Sequence, residues 1–276
     1  FVAGGNRPGN DPLYVEEAYN LGRQIIKLDF KLDFGLSNSG IMGAVARGVL
    51  DGWNKKKCAE TPIQGVTTQV YYDLYPHDDA IIGQIEDVIL AKTLEERKQK
   101  LLNADFVVFA PGGDGFLPIK PFILFNVDGY FHHLVEYLKA IAAKGFADPL
   151  PFIVVDDSNE LSVVFRLLKL RYKKGKTTAE AYAATRQLIY ELPYFLKKKT
   201  DSSVHVEDII AEMDAVEKQG SAEQKQELAN EIEKAYLEKE IERMYDRLAK
   251  TGRDTSIVSD KLTNLKKRKK ANKSTK

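Results

Sequence analysis

Residues 105–115, DFVVFAPGGDG, decide the fold. Asp105 to Ala110 is a short apolar run of good β-formers, and a proline and three glycines follow it. Such a run is too short for a helix and reads as a buried strand. Pro111 fixes the exit, while Gly112, Gly113 and Gly115 let the backbone turn sharply and approach a ligand. At the carboxyl end of a parallel strand, a loop of this kind leaves amides for an anion.

Outward from that stretch, short β-rich runs alternate with longer helical patterns. Strands are predicted at 1–3, 30–34, 64–67, 105–110, 121–126 and 151–155, with helices near 11–28, 40–56, 84–103, 130–144 and 158–171. This alternation predicts an α/β fold: a Rossmann-like parallel sheet with helices on both faces, over residues 1–170. Residues 171–276 form a charged helical extension, with helices at 177–199, 204–219 and 221–250. Leu228, Ile232, Leu237, Ile241, Met244 and Leu248 make an apolar stripe along the last of these, which must bury against something. The tail carries Lys266-Lys267-Arg268-Lys269-Lys270 and reads as a solvated end.

Composition narrows the function classes. The chain has 276 residues with 43% hydrophobic, enough for a packed core, and 41 basic against 40 acidic residues. With the charges nearly cancelled, no global field draws the molecule to nucleic acid or to an anionic membrane. One cysteine, Cys58, excludes an intrachain disulfide and a cysteine-built zinc site, and fits a reducing, cytoplasmic setting. No apolar run is long enough to span a bilayer. A chain that opens on Phe1, inside a strand, predicts further residues ahead of it.

Ligands of such a sheet gather in the loops after its strands. Four of these loops are glycine-bearing or polar: 4–9 with Gly4, Gly5 and Asn6, 35–40 ending in Gly40 and followed by Met42 and Gly43, 111–115 with Gly112, Gly113, Asp114 and Gly115, and 126–129. Ahead of the third loop stand Arg97 and Lys98, which flank the helical line through Leu90, Leu94 and Leu101. Solvated cations would sit opposite such a face. At His132-His133 no second histidine or cysteine follows at ligand spacing, and no metal and no cofactor is expected. Asp156 and Asp157 read as caps for the helix that follows, and Glu95 and Glu96 as helix-surface charges.

Taken together, these segments resemble the LOG family of nucleoside-monophosphate phosphoribohydrolases. That family carries an Arg-Lys pair on a helix, then a strand, then Pro-Gly-Gly-x-Gly-Thr-x-x-Glu. Residues 1–22 (FVAGGNRPGNDPLYVEEAYNLG) are similar to its opening strand, loop and helix, 35–48 (GLSNSGIMGAVARG) to its second glycine segment, and 123–138 to its strand with Asn and a Gly-Tyr helix start. The resemblance runs from residue 1 to about 165. It implies cleavage of the N-glycosidic bond of a nucleoside 5′-monophosphate, usually in dimers or larger homo-oligomers. It places Arg97 on the catalytic arginine, with Lys98 beside it, Gly112, Gly113 and Gly115 on the phosphate loop, and Met42 beside the nucleotide. The Gly-Gly-Asp-Gly at 112–115 also looks like that of NAD and lipid kinases, which lack the other three matched stretches.

The chemistry suits these residue types. Cleavage passes through an oxocarbenium-like sugar, so a carboxylate near the anomeric carbon stabilises charge and orients water. Loop amides anchor the 5′-phosphate and thereby hold the reacting bond in place. One departure is large: Phe116-Leu117-Pro118-Ile119-Lys120 follows Gly115 where Thr-x-x-Glu is expected. Parallel neighbours need a crossover of about a dozen or more residues, usually with a helix. Residues 111–120 cannot supply one, which predicts a segment, beginning Thr-x-x-Glu, absent between Gly115 and Phe116.

Overall fold

The structure, a computed structural model, describes residues 1–56, 61–73, 80–113, 121–146, 151–171, 178–199 and 203–250, with a few positions beyond. In chain order the elements are β1 (Val2–Ala3), α1 (Pro12–Lys27), β2 (Leu32–Phe34), α2 (Gly40–Lys56), β3 (Ile63–Thr68), α3 (Gln69–Tyr72), β4 (Asp87–Ala91), α4 (Leu94–Leu102), β5 (Val108–Phe109), β6 (Phe122–Phe125), α5 (His132–Ala143), β7 (Phe152–Val155), α6 (Ser158–Arg171), α7 (Thr178–Lys198), α8 (Val206–Gln219) and α9 (Ala222–Lys250). Two compact units divide the chain, Phe1–Arg186 and Gln187–Lys276, so the boundary falls within α7.

In the first unit all strand pairs are parallel. They run β1-β5-β6-β7 in one sheet and β2-β3-β4 in the other, and the two meet where β1 lies beside β2. From β1 the chain therefore steps outward through β2, β3 and β4, then returns to start β5 on the other side of β1. That reversal is the switch point at which parallel α/β sheets open a ligand crevice. The α/β reading with flanking helices holds.

Local chemistry fixes the helices. Asp11 accepts from the Leu13 amide at 2.8 Å and Pro12 opens α1, a pairing that suits a helix start. Helix α1 packs along α2, and Gly22 and Gly48 let their backbones close; a Cβ on Gly48 would stand 3.1 Å from the Arg23 amide. Across β5 and β6, Phe131, Val135 and Leu138 of the α5 region complete a core with Ala3, Val107, Phe109, Phe122 and Leu124. Within it Phe109 meets Phe122 edge to face at 5.4 Å, and Phe122 stacks on Phe152 at 5.7 Å.

One predicted element is corrected. The helix expected over 84–103 is a strand followed by a shorter helix, β4 and α4. Val88, Ile89, Leu90 and Ala91 form the edge of the β2-β3-β4 sheet, where Thr67 lies in register with Leu90. A half-buried edge strand of five residues carries an apolar run that periodicity alone cannot tell from a helical stripe.

In the second unit, Tyr190 of α7 stacks on Tyr236 of α9 at 4.7 Å, and Lys197 pairs with Glu238 at 2.6 Å. Along α9 the expected stripe is only partly covered: Leu228, Ile232, Ile241 and Leu248 are half-buried, while Leu237 and Met244 stay 45% and 43% exposed. No helix among the described residues is long and apolar enough to cross a membrane. Cys58, the basic run at 266–270 and the position of the expected absent segment after Gly115 all lie outside the described residues.

Candidate active site

The site is built around Arg97. Thr93 caps α4 by accepting from the Glu96 amide at 3.0 Å, and Glu96 Oε2 takes the Lys92 amide at 2.9 Å. This reciprocal arrangement pins the first turn. Glu96 is thus part of the helix start rather than a surface charge alone. Arg97, fixed on that turn, donates through Nε to the Val66 carbonyl at 2.9 Å and through Nη2 to the Gly35 carbonyl at 2.9 Å. Val66 belongs to β3 and Gly35 follows β2, so one guanidinium bridges the carboxyl ends of two neighbouring strands. A planar fork of donors suits that task, whereas an ammonium does not.

Gly35 makes room for this bridge. A Cβ there would collide with Arg97 Nη2 and would lie 3.3 Å from Met42 Sδ, so the guanidinium and the Met42 thioether share the space over Gly35. The predicted helical line corrects accordingly. Leu90 is on β4, Leu94 is 58% exposed and Leu101 is 1% exposed, so no continuous apolar face runs between the two cations. Lys98 is partly buried beside Arg97 on α4, and the bridge to the strand ends is made by Arg97.

Three glycine loops meet at the same end of the sheet, backbone against backbone. Gly112 has φ 78°, and a Cβ on it would stand 2.7 Å from Gly5 Cα. The Gly5 amide donates to the Pro111 carbonyl at 2.9 Å, tying loop 4–9 to loop 111–115. Gly40, with φ 60°, presses on the Asn6–Arg7 peptide, and Ser39 Oγ donates to the Asn6 carbonyl at 3.2 Å. Gly43 rests on the Asn38 backbone, and Gly4 abuts Ile41 and Met42. The structure therefore brings Gly4, Gly5, Asn6, Gly40, Met42, Gly43, Gly112, Gly113 and Arg97 to one end of the sheet. Asp114 and Gly115 lie outside the described residues.

The expectation of free loop amides needs correction. Ile41 and Met42 both donate to the Gly5 carbonyl, at 2.9 and 3.2 Å, Gly43 donates to Ser39, and Gly113 donates to Ala110. These groups stiffen the loops and are not spare donors. Gly112 is exposed, and its amide meets no acceptor among the described residues. It is one loop amide that the fold itself leaves unused.

Sequence reasoning missed the acceptors of Arg97, because a carbonyl carries no residue signature. It also missed Leu36, fully buried at φ 55°, whose side chain fills the space that Gly65 leaves in β3. A glycine inside a β-run was the available signal. Asp157 caps α6 as expected, accepting from the Asn159 and Glu160 amides at 2.8 Å each. Asp156 instead takes Asn126 Nδ2 at 3.0 Å, while Asn126 Oδ1 accepts from the Phe131 amide at 2.8 Å. Among the described residues no three His, Cys, Asp or Glu side chains are grouped to hold a metal ion.

Fold and site together define a Rossmann-like α/β protein whose strand-end loops are joined by glycine contacts and one clamped arginine. No family model matches the chain. It is 28% identical over 176 residues to the probable cytokinin riboside 5′-monophosphate phosphoribohydrolase LOG4 of Oryza sativa subsp. japonica, covering 57% of this chain and 71% of that one. It is 28% identical over 180 residues to the cytokinin riboside 5′-monophosphate phosphoribohydrolase LOG7 of Arabidopsis thaliana, covering 59% and 77%. With LOG2 of Arabidopsis thaliana the figures are 27% over 158 residues, covering 51% and 68%. The chain is thus similar to LOG phosphoribohydrolases over about half of its length.

Proposed function

We propose that this protein hydrolyses the N-glycosidic bond of a nucleoside 5′-monophosphate, water adding across it to give the free base and ribose 5-phosphate. The observation that carries the reading is the clamp of Arg97 on the Val66 and Gly35 carbonyls beside Met42. Holding the guanidinium at the carboxyl ends of β2 and β3 aims a fixed positive charge at the crevice where a nucleotide's sugar would lie. Lys98 adds a second cation to that border, and the Gly112 amide is a donor for the phosphate. The names of the relatives support a purine-type substrate, with cytokinin ribotides among the candidates. The setting is the cytoplasm and the working form a homo-oligomer, which light scattering tests.

A second reading is favoured by one observation: the sequence passes from Gly115 directly to Phe116, with no glutamate in Phe116-Leu117-Pro118-Ile119-Lys120. Without a carboxylate at the anomeric carbon the domain would bind a nucleotide and not turn it over. A single experiment separates the two. The protein is incubated with AMP and a panel of monophosphates, including cytokinin ribotides, and free base and ribose 5-phosphate are assayed beside ligand-dependent thermal shift. Turnover establishes the hydrolase, a shift without turnover establishes the binding protein, and neither response rejects both.

A further inference from the structure

Among the described residues, three that are not glycine have positive φ: Asp29, Leu36 and Asp128. Asp29 and Asp128 are exposed, and a short polar side chain visits this region readily. Leu36 differs on both counts. It is fully buried at φ 55°, where the Cβ of an L-residue crowds the backbone and a bulky side chain is a true outlier. Such a conformation persists only where the surrounding structure imposes it.

Gly65 supplies the seat. It lies buried inside β3, in register with Phe34 of β2, and a Cβ on it would overlap Leu36 Cδ1 and stand 3.2 Å from Cγ. A leucine from the end of β2 thus fills the space that a strand glycine leaves open.

The two acceptors of Arg97 are the chain neighbours of this pair. Gly35, whose carbonyl takes Nη2 at 2.9 Å, directly precedes Leu36, and Val66, whose carbonyl takes Nε at 2.9 Å, directly follows Gly65. The Gly35 carbonyl shares a rigid plane with the Leu36 nitrogen, so the φ of Leu36 sets where that oxygen points. Two movements would relieve this φ. Withdrawing the side chain is opposed by its burial over Gly65, and rotating the peptide would turn the oxygen away from Nη2.

We propose that Leu36, seated on Gly65, is a positioning residue for Arg97: their contact sets the separation and direction of the two carbonyls that one guanidinium spans. Leu36 acts through the backbone and touches no substrate. The proposal rests on the hydrolase reading only where turnover is measured, because the hold on Arg97 is read without ligand.

The test follows the Arg97 Nε–H signal in nitrogen-15 spectra of the full chain, identified by its loss in Arg97→Lys. A resolved signal is expected in the wild type. Gly65→Ala, whose methyl takes the space of Leu36 Cδ1, is expected to shift the signal or broaden it away, and Leu36→Ala to do the same. Leu36→Met refills the seat and is expected to keep it. Where turnover is present, kcat in Gly65→Ala should fall by about a hundred-fold, the scale for a group displaced by about an ångström, with KM changed less than about three-fold. A merely structural role would lower Tm and leave the Arg97 signal in place. Leu36→Ala carries the test if Gly65→Ala fails to fold. A wild-type Arg97 signal in either folded alanine variant overturns the proposal, as does equal loss of the signal in Leu36→Met. A wild type without turnover rejects the hydrolase and leaves the spectra to decide the positioning role.

Discussion

Gly112 and Gly5 meet back to back, so that a Cβ placed on Gly112 would lie 2.7 Å from the Cα of Gly5. Loops from two different strands are thereby held at main-chain contact, with the Gly5 amide on the Pro111 carbonyl. Gly112→Ala must therefore force the loops apart as well as place a side chain at φ 78°. The backbone term alone costs roughly 1–2 kcal/mol. The expected outcome is a Kd for AMP raised about ten-fold, in line with 1.4 kcal/mol, measured by calorimetry, with the far-ultraviolet dichroism unchanged.

Arg97 serves two ends at once, and its variants should separate them. Arg97→Lys keeps a positive charge but cannot bridge the Val66 and Gly35 carbonyls as a fork. Stability is expected to fall by about 2 kcal/mol from lost charged hydrogen bonds, and kcat/KM by roughly 10²-fold or more, as when one oriented donor is removed from a transition state. Arg97→Gln should be worse on both counts. Wild-type kcat/KM in Arg97→Lys would show that the charge matters and its clamped direction does not.

Much of this arrangement was legible in the residues, and the limits have physical causes. The β1, β5 and β6 strands and their loops were found because glycine and proline punctuate buried apolar runs. Helices α1, α2 and α6 were located within a residue or two because caps such as Asp11 and Asp157 mark their starts. Strand β4 was hidden because Val88 to Ala91 runs into Leu94, and five apolar residues fit either period. The grip of Arg97 was invisible because its partners are carbonyls. The burial of the Gly113 and Met42 amides was invisible for the same reason: sequence shows which loop can turn, not which donors remain unspent after it has turned.

Thr67 offers a stability test free of the catalytic question. It is fully buried in β3, and among the described residues its hydroxyl meets no partner. An orphaned buried hydroxyl costs about 1–3 kcal/mol, and valine has nearly the same shape and a higher strand preference. Thr67→Val is expected to raise Tm by about 2–4 °C, the shift that about 1 kcal/mol produces in a domain of this size. A lower Tm by calorimetry would mean that the hydroxyl is satisfied in solution.

The second unit should show an alkaline limit set by Tyr194. Burial raises its phenol above the ordinary value of 10.0, partly opposed by the Lys198 ammonium 5.4 Å from its ring. A group whose folded pKa is raised contributes stability that is complete below its unfolded pKa and is lost as pH climbs through the folded one. The loss therefore begins above pH 10, where unfolded chains ionise and the native phenol does not. Tyr194→Phe is expected to flatten that alkaline decline in urea melts followed by dichroism. An unchanged slope would assign the limit to other groups.

The carbonyl of Gly5, seated on the Ile41 and Met42 amides, changes what an incoming anion encounters. The positive pole of α2 is already plugged by the chain's own peptide, so a phosphoryl group can reach it only by evicting that oxygen. Eviction would swing loop 4–9 and, through the Gly5 to Pro111 bond, drag loop 111–115 with it. Ligand entry on that route is thus a coupled latch: inorganic phosphate, too small to compensate for unseating both loops, should compete poorly against a complete nucleotide.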